Sequence, residues 1–380
     1  NILAAAEALA ENADVTVAFR SFVEAPESDK FQTIEIEPTN NGQSARDDVA
    51  ARGLNPVTHL RYLKRLREFS SSVAGKYDLV LEKGWRLSGY LCRELGKHGV
   101  PAMLIENDVR IWTDKLNSVR NLARFAVHSA AQRVARNASQ DAPRVIAETE
   151  QLREALLDCR GLAPEKVRVV SLGVDHSIFR PMDKETARQS LGIDEAATIF
   201  LYVGGMDQYH DLSPLLKALR KQPVDGLEIH LVGDGSYRPR YEALGQGLTN
   251  PVRFHGQVPH SEVPRFIAAA DACVAPYDAD GFYHKQVSFA TLKIPEYMAC
   301  AKPVISIPSG HILSLIDHGN TGFLFDNNTA AWGGFLGQLP DRTMLNSMGQ
   351  SAATTVREMT WQSTARQYLE IGSEITDKSL

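Results

Sequence analysis

Short apolar runs rich in β-branched residues alternate with amphipathic helical stretches along almost the whole chain, and no other feature restricts the fold as strongly. In the first half the runs are VTVAF (15–19), TIEIE (33–37), YDLVLE (77–82), PAMLIE (101–106), RVIAE (144–148) and VRVVSL (167–172). In the second they are TIFLYVGG (198–205), LEIHLVGDG (227–235), VRFHG (252–256), ACVAPY (272–277), PVISI (303–307) and GFLF (322–325). Helical patterns such as THLRYLKRLREFSSSVAG and SVRNLARFAVHSAAQRVARNA lie between them. Strands joined through helices of that length predict βαβ units and parallel sheets covered on both faces.

A chain of 380 residues exceeds the usual span of one hydrophobic core, so two domains are expected. The alternation pauses at GVDHSIFRPMDKETARQSLGIDEAA (173–197), where Pro181 and a charged stretch mark a linker. The predicted architecture is α/β, with two Rossmann-like doubly wound domains facing a cleft. They cover residues 1–180 and 181–360, and a last helix over 361–376 packs back on the first domain. The chain opens NILAAAEALAENADVTVAF, helical before its first strand. An α/β domain more often begins with a buried strand, so the first strand and its loop are expected to be missing from 1–180.

A content of 43% hydrophobic and 23% charged residues describes a soluble globular protein. The net charge of -5 excludes a general nucleic-acid binder. Cys92, Cys159, Cys273 and Cys300 lack CxxC spacing and sit in apolar neighbourhoods, which fits a reduced, cytoplasmic protein. No apolar run is long enough to cross a membrane and no signal peptide is visible, so any membrane contact is peripheral. Two helices carry basic outer faces, Arg61, Lys64, Arg65 and Arg67 on one and Arg120, Arg124, Arg133 and Arg136 on the other. A solvated face is the simpler reading, and docking at an anionic membrane to reach a lipid-linked acceptor is the alternative.

In open α/β sheets ligands sit beyond the carboxyl ends of the strands. Three turns there draw attention: Gly204 and Gly205 ahead of a helix that starts near Leu212 or Ser213, Gly233 and Gly235 around Asp234, and PYDADGFYHKQVSFATLKIPE. Glycine after a strand serves a tight turn as readily as it cradles a phosphate. Asp278 and Asp280 spell DxD in a very polar loop, and no metal site is assigned to them. Lys293 and Glu296, three apart, share a helix face just before the apolar run YMACA. They form either a surface ion pair or the polar rim of a ligand site, where the carboxylate would take two ribose hydroxyls and the ammonium a phosphate. The residues alone leave both open.

LYVGG, HLVGDGSYRPRYEAL, VRFHGQVPHSEVPRFIAAADACVAPY, IPEYMACAKPVIS and HGNTGFLF, with the linker VSLGVDHSIFRP, follow the order and spacing of the retaining glycosyltransferases of family 4. LEKGWRLSGYLCRELGKHGVPAMLIEND resembles the first half of a subgroup of that family. The resemblance implies the GT-B architecture. It makes Glu296 the second carboxylate of a Glu-x7-Glu motif, on the ribose of a nucleotide-sugar donor, and puts Ser288 at the first position. There a hydroxyl replaces the charge, so either the loop around Tyr283 and Lys285 takes over or the donor sugar is held differently. The family's diphosphate-binding Arg and Lys fall at Gly205 and His210, which leaves Lys293, protonated His210, Lys285 and helix N-termini to supply positive charge.

By the same resemblance, the backbone at Gln257 and Val258 meets the base, and Ser309, Gly310 and His311 lie near the phosphates or sugar. Lys83, Trp85, Arg86, Glu106 and Asn107 follow strands on the cleft side and are acceptor-side candidates, with fold-stabilising roles equally open. Lys293, Glu296 and Glu106 are the catalytic candidates, and no nucleophile is assigned. The implied reaction transfers a glycosyl group with retention to an acceptor hydroxyl, carbohydrate or lipid-linked, in glycan, glycolipid or cell-surface polysaccharide synthesis. It requires no metal or cofactor, and it takes place in the cytoplasm or at the inner membrane face. The alternatives are a GT-B nucleotide-sugar epimerase and a binder that has lost catalysis, the latter suggested by Gly205, His210 and Ser288.

Overall fold

The computed structural model describes residues 2–20, 26–36, 56–84, 87–109, 117–278 and 287–376. Its strands all pair in parallel, as the alternating pattern requires. The chain forms two compact units. The first comprises 1–173, 288–290 and 361–380, so the division falls after Gly173 rather than near residue 180.

In the first unit β1 (Val15–Phe19) pairs, among the described residues, with β2 (Phe31–Glu35) alone. The second strand begins earlier than the run at 33 because buried Phe31 aligns with Val15. A second sheet runs β3 (Val80–Lys83), β4 (Ala102–Glu106), β5 (Arg144–Ala147) and β6 (Val167–Val169) in sequence order. The helix Trp361–Thr376 adds Tyr368 and Ile371 to the core made by Met103, Ile105, Ile146 and Val170. Burying side chains of this size contributes about 1.5–3 kcal/mol each. On its polar side Glu374 pairs with Arg144 and Arg168.

The second unit holds β7 (Thr198–Val203), β8 (Leu227–Val232), β9 (Val252–Gly256), β10 (Ala272–Ala275), β11 (Val304–Ser306) and β12 (Gly322–Leu324). Their order is β12-β11-β10-β7-β8-β9. The chain therefore builds outward from β7 in one direction, returns to β10 on its other side and builds outward again. That reversal between β7 and β10 is the point at which an open doubly wound sheet leaves a crevice at its carboxyl edge. One face of the sheet is filled by Phe200, Ile229, Leu231, Leu215, Leu216 and Leu219.

At the opposite edge buried Asp271 accepts from Ile199 N at 2.7 Å and from the Arg188 guanidinium at 2.8 Å, and pairs with Lys184. Arg188 also donates to the carbonyls of Ala269, Asp194, Glu195 and Ala197, so this buried charge is fully used in fixing the amino ends of β7 and β10. Among the described residues no helix is long and apolar enough to cross a membrane.

Candidate functional site

Side chains from both sides of the strand-order reversal converge at the carboxyl edge of the second unit's sheet. Tyr202 comes from β7, Tyr277 follows β10, and Lys293 is the first residue of the helix Lys293–Ala299. The Lys293 ammonium lies 4.5 Å from the centroid of the Tyr202 ring and 5.5 Å from that of Tyr277, within cation–π range of both. It also donates to the Tyr202 hydroxyl at 3.3 Å, and that hydroxyl donates to Gly205 O at 2.5 Å.

A Cβ at Gly204, where φ is +140°, would stand 2.9 Å from the ammonium nitrogen, so the glycine makes room for the cation. Burial lowers the Lys293 pKa to about 7 and raises that of Glu296 to about 7. No ion pair joins Lys293 and Glu296 among the described residues, because the ammonium is turned to the two tyrosines. The surface-ion-pair alternative is thereby removed, and both groups remain half-buried at the strand edge with polar capacity to spare.

His210 follows in the same β7 turn. Its ring sits 5.1 Å from Tyr277 and 6.2 Å from Tyr202, its Nδ1 lies 3.0 Å from Asp207 Oδ1, and its carbonyl accepts from the Tyr241 hydroxyl at 2.6 Å. Burial first, and Lys293 second, push its pKa down to about 4. Burial and Lys293 thus work against the protonated His210 on which the sequence reading drew. Asp207, Tyr202 and Tyr277 were not singled out by sequence. Their only signal is an acidic residue in a strand-following turn and two tyrosines in apolar runs.

The other turn glycines act differently. A Cβ on Gly233 would fall 2.0 Å from Gly204 O, and one on Gly235 2.2 Å from Met206 O. The Gly204 amide donates to Val232 O at 3.0 Å, and the Gly233 amide to Gly256 O at 2.7 Å. These glycines let neighbouring turns stack backbone on backbone, and the Gly233 amide is already used. Gly233 is thus a packing residue beneath the site. Gln257 is exposed and Val258 half-buried just past β9.

Ser309 Oγ accepts from Val287 N at 3.2 Å and His311 N donates to Val287 O at 2.8 Å. Gly310, with φ +51°, would bring a Cβ 2.2 Å from the same carbonyl. The 309–311 turn is therefore fastened to the segment that leads into Ser288. Ser288 itself groups with the first unit, where Thr149 Oγ1 donates to its carbonyl. Its own hydroxyl is buried and has no hydrogen-bond partner among the described residues. His311 is buried, which lowers its pKa to about 4.

In the first unit Glu106 is 1% exposed, paired with Arg160 through one oxygen and accepting from Ser88 Oγ at 3.1 Å through the other. A Cβ on Gly84 would sit 2.7 Å from that second oxygen. A carboxylate enclosed in this way anchors the fold, so the catalytic assignment of Glu106 gives way to a structural one. Lys83 pairs with buried Glu148, and Asn107 is exposed. Sequence reasoning missed Glu82. It is buried and accepts from Gly89 N at 3.0 Å and Cys92 N at 2.8 Å at the head of the helix Tyr90–Gly96. Trp85, Arg86, Tyr283, Lys285 and Asp280 lie outside the described residues. Among the described residues no group of three or more His, Cys, Asp or Glu is placed to hold a metal ion.

Residues 2–173 match the family described as Glycosyl transferase 4-like domain, and residues 197–339 match Glycosyl transferases group 1. Among similar proteins is the D-inositol 3-phosphate glycosyltransferase of Thermobispora bispora, 26% identical over 328 residues that cover 80% of this chain and 72% of the relative. The corresponding protein of Nocardia farcinica is 28% identical over 325 residues, covering 80% and 68%. Among solved structures, sucrose-phosphate synthase from Thermosynechococcus elongatus superposes with a TM-score of 0.77 at 22% identity, covering 98% of this chain and 92% of that one. Anabaena HepE in complex with UDP-glucose gives a TM-score of 0.65 at 20% identity, covering 84% of each chain.

Proposed function

The chain belongs to the group 1 glycosyl transferases, with a 4-like domain ahead of the group 1 domain in a GT-B fold, and from that premise we propose a retaining transfer of sugar from a nucleoside-diphosphate sugar to an acceptor hydroxyl. The observation that carries the donor assignment is the Lys293 ammonium held by Tyr202 and Tyr277 at the strand-order reversal, with Glu296 one helical turn further on. In this reading the ammonium meets the diphosphate, Glu296 takes the ribose hydroxyls, and the backbone at Gln257 and Val258 reads the base. The UDP-glucose complex of HepE supports uracil as the first base to test. Positive charge near the phosphates stabilises the leaving diphosphate as the glycosyl bond breaks, and the reaction draws on no metal or other cofactor.

A thermal-shift panel of UDP, GDP and ADP on wild type and Glu296→Ala tests the assignment. Stabilisation of wild type by one of them, reduced in the variant, is expected. Equal shifts in both proteins, or none in wild type, would sink it. Hydrolysis or transfer of the matching nucleotide sugar separates an enzyme from a binder, which is stabilised without turnover.

We place the acceptor, carbohydrate or lipid-linked, with the first unit, Lys83 and Asn107 being the candidates that keep a polar group near a strand end. Work at the cytoplasmic face of a membrane would use exposed Leu60 and Arg61 and the basic helix Val119–Asp141. Glu68 already pairs with Lys64 and Arg65, and Glu94 with Arg67, which weakens the first basic face. Salt-sensitive sedimentation with vesicles containing anionic lipid would support a membrane role, and no sedimentation at low salt, the outcome of a simply solvated face, removes it.

A further inference from the structure

We propose that Asp207 and His210 form a proton-uptake pair for the donor diphosphate, in which Asp207 orients the ring and His210 takes up a proton as it binds the diphosphate. The inference rests on the donor-site reading above. Asp207 Oδ1 accepts from Tyr209 N at 2.8 Å as well as facing His210 Nδ1 at 3.0 Å, so the turn itself fixes the carboxylate. The Tyr241 hydroxyl fixes the histidine backbone. With Nδ1 committed to Asp207, Nε2 is the nitrogen left to meet a ligand, and it points away from the carboxylate by the geometry of the ring.

The groups around the imidazole come from every neighbouring element. Asp207 lies in its own turn, Tyr202 on β7, Tyr277 after β10 and Lys293 on the helix Lys293–Ala299, while Tyr241 of the helix Arg238–Gly245 holds the backbone carbonyl. Burial and the Lys293 charge act to keep a proton off the ring, against the pull of Asp207. A second permanent cation here would repel Lys293 in a poorly solvated space. An imidazole avoids that repulsion by charging only when an anion is present. An arriving diphosphate carries at least two negative charges, so it reverses the balance at His210 and also draws Lys293 fully into its ammonium form. Asp207 is thus a positioning residue and His210 a ligand-binding one, and the proton taken up on binding is returned when the nucleoside diphosphate leaves.

Thermodynamic linkage makes this measurable, since each proton taken up changes affinity by about tenfold per pH unit in the window where it binds. Calorimetric titration of the full chain with UDP at pH 7.5, in buffers of different ionisation enthalpy, gives the number of protons absorbed. Wild type is expected to absorb more than one, shared between His210 and Lys293. His210→Gln should lose roughly one of these, Asp207→Asn should bind UDP with reduced uptake, and Lys293→Met should keep the histidine's share. UDP binding to wild type without proton uptake overturns the proposal, whether or not the variants fold. Equal uptake by His210→Gln and wild type overturns it too. If none of UDP, GDP and ADP binds, the donor-site reading fails first and this inference falls with it.

Discussion

Replacing Lys293 by Met keeps the length of the side chain and removes its charge, and the site geometry makes stability and binding move in opposite directions. Burial lowers the lysine's pKa from its ordinary 10.5 to about 7. The unfolded chain therefore binds a proton that the folded chain releases between pH 7 and 10.5. Carrying the charge destabilises the free fold fully below pH 7, and that penalty fades as pH rises through this window. The full shift corresponds to several kcal/mol. Partial exposure, the hydroxyl of Tyr202 and the two aromatic faces reduce it, leaving about 1–3 kcal/mol.

Lys293→Met should accordingly unfold at a higher temperature than wild type at pH 6.5, with the difference shrinking towards pH 10. A charge-assisted hydrogen bond to a diphosphate is worth about 1.5–3 kcal/mol, so the same variant should bind UDP about 10- to 150-fold more weakly. Thermal unfolding across pH and calorimetric titration with UDP read the two effects separately. UDP affinity within twofold of wild type would mean that the ammonium does not meet the phosphates. A variant less stable than wild type at pH 6.5 would mean that the tyrosine pocket stabilises the cation more than burial opposes it.

Two further substitutions separate packing from charge in the turns. Gly233→Ala places a methyl 2.0 Å from Gly204 O at a φ of +124°, so a loss of about 2–4 kcal/mol in chemical denaturation is expected. A loss under 1 kcal/mol would show that the stacked turns can separate freely. Gly205→Arg restores the cation of the family's diphosphate site at a position whose Cβ would meet only Asp207 Oδ2, at an ordinary 3.5 Å. A loss of stability through repulsion of Lys293, fading as pH rises above 7, and tighter UDP binding are expected. Weaker binding would place the phosphates elsewhere.

The strands were legible because parallel sheets bury both faces, which turns each strand into a nearly unbroken apolar run. TIFLYV and ACVA are examples, and both became strands within a residue or two of the expected limits. The site was legible only in part, because its decisive contacts span long stretches of chain. Lys293 finds Tyr202 across 91 residues and Glu106 finds Arg160 across 54, separations at which a local pattern is silent. The Lys293–Glu296 spacing of three is the signature of a helical ion pair, and tertiary contacts overrode it. The strand-end position of Glu106 likewise suggested a ligand, until Arg160 and Ser88 took its oxygens.

Glycine is the sharpest case, since Gly204, Gly205 and Gly233 give one signal in sequence and three different answers in space. Gly204 yields room to an ammonium, and Gly233 yields room to a backbone carbonyl. At Gly205 a Cβ would meet only Asp207 Oδ2 at 3.5 Å, so the backbone there makes no demand for glycine. On the proposed donor reading, Lys293 and an imidazole serve in place of the fixed charges that the family resemblance puts at Gly205 and His210, and the ligand itself can raise the charge of both. If the proposed proton uptake holds, the departures from the family motif describe a site that becomes positive as the diphosphate arrives rather than a dead one.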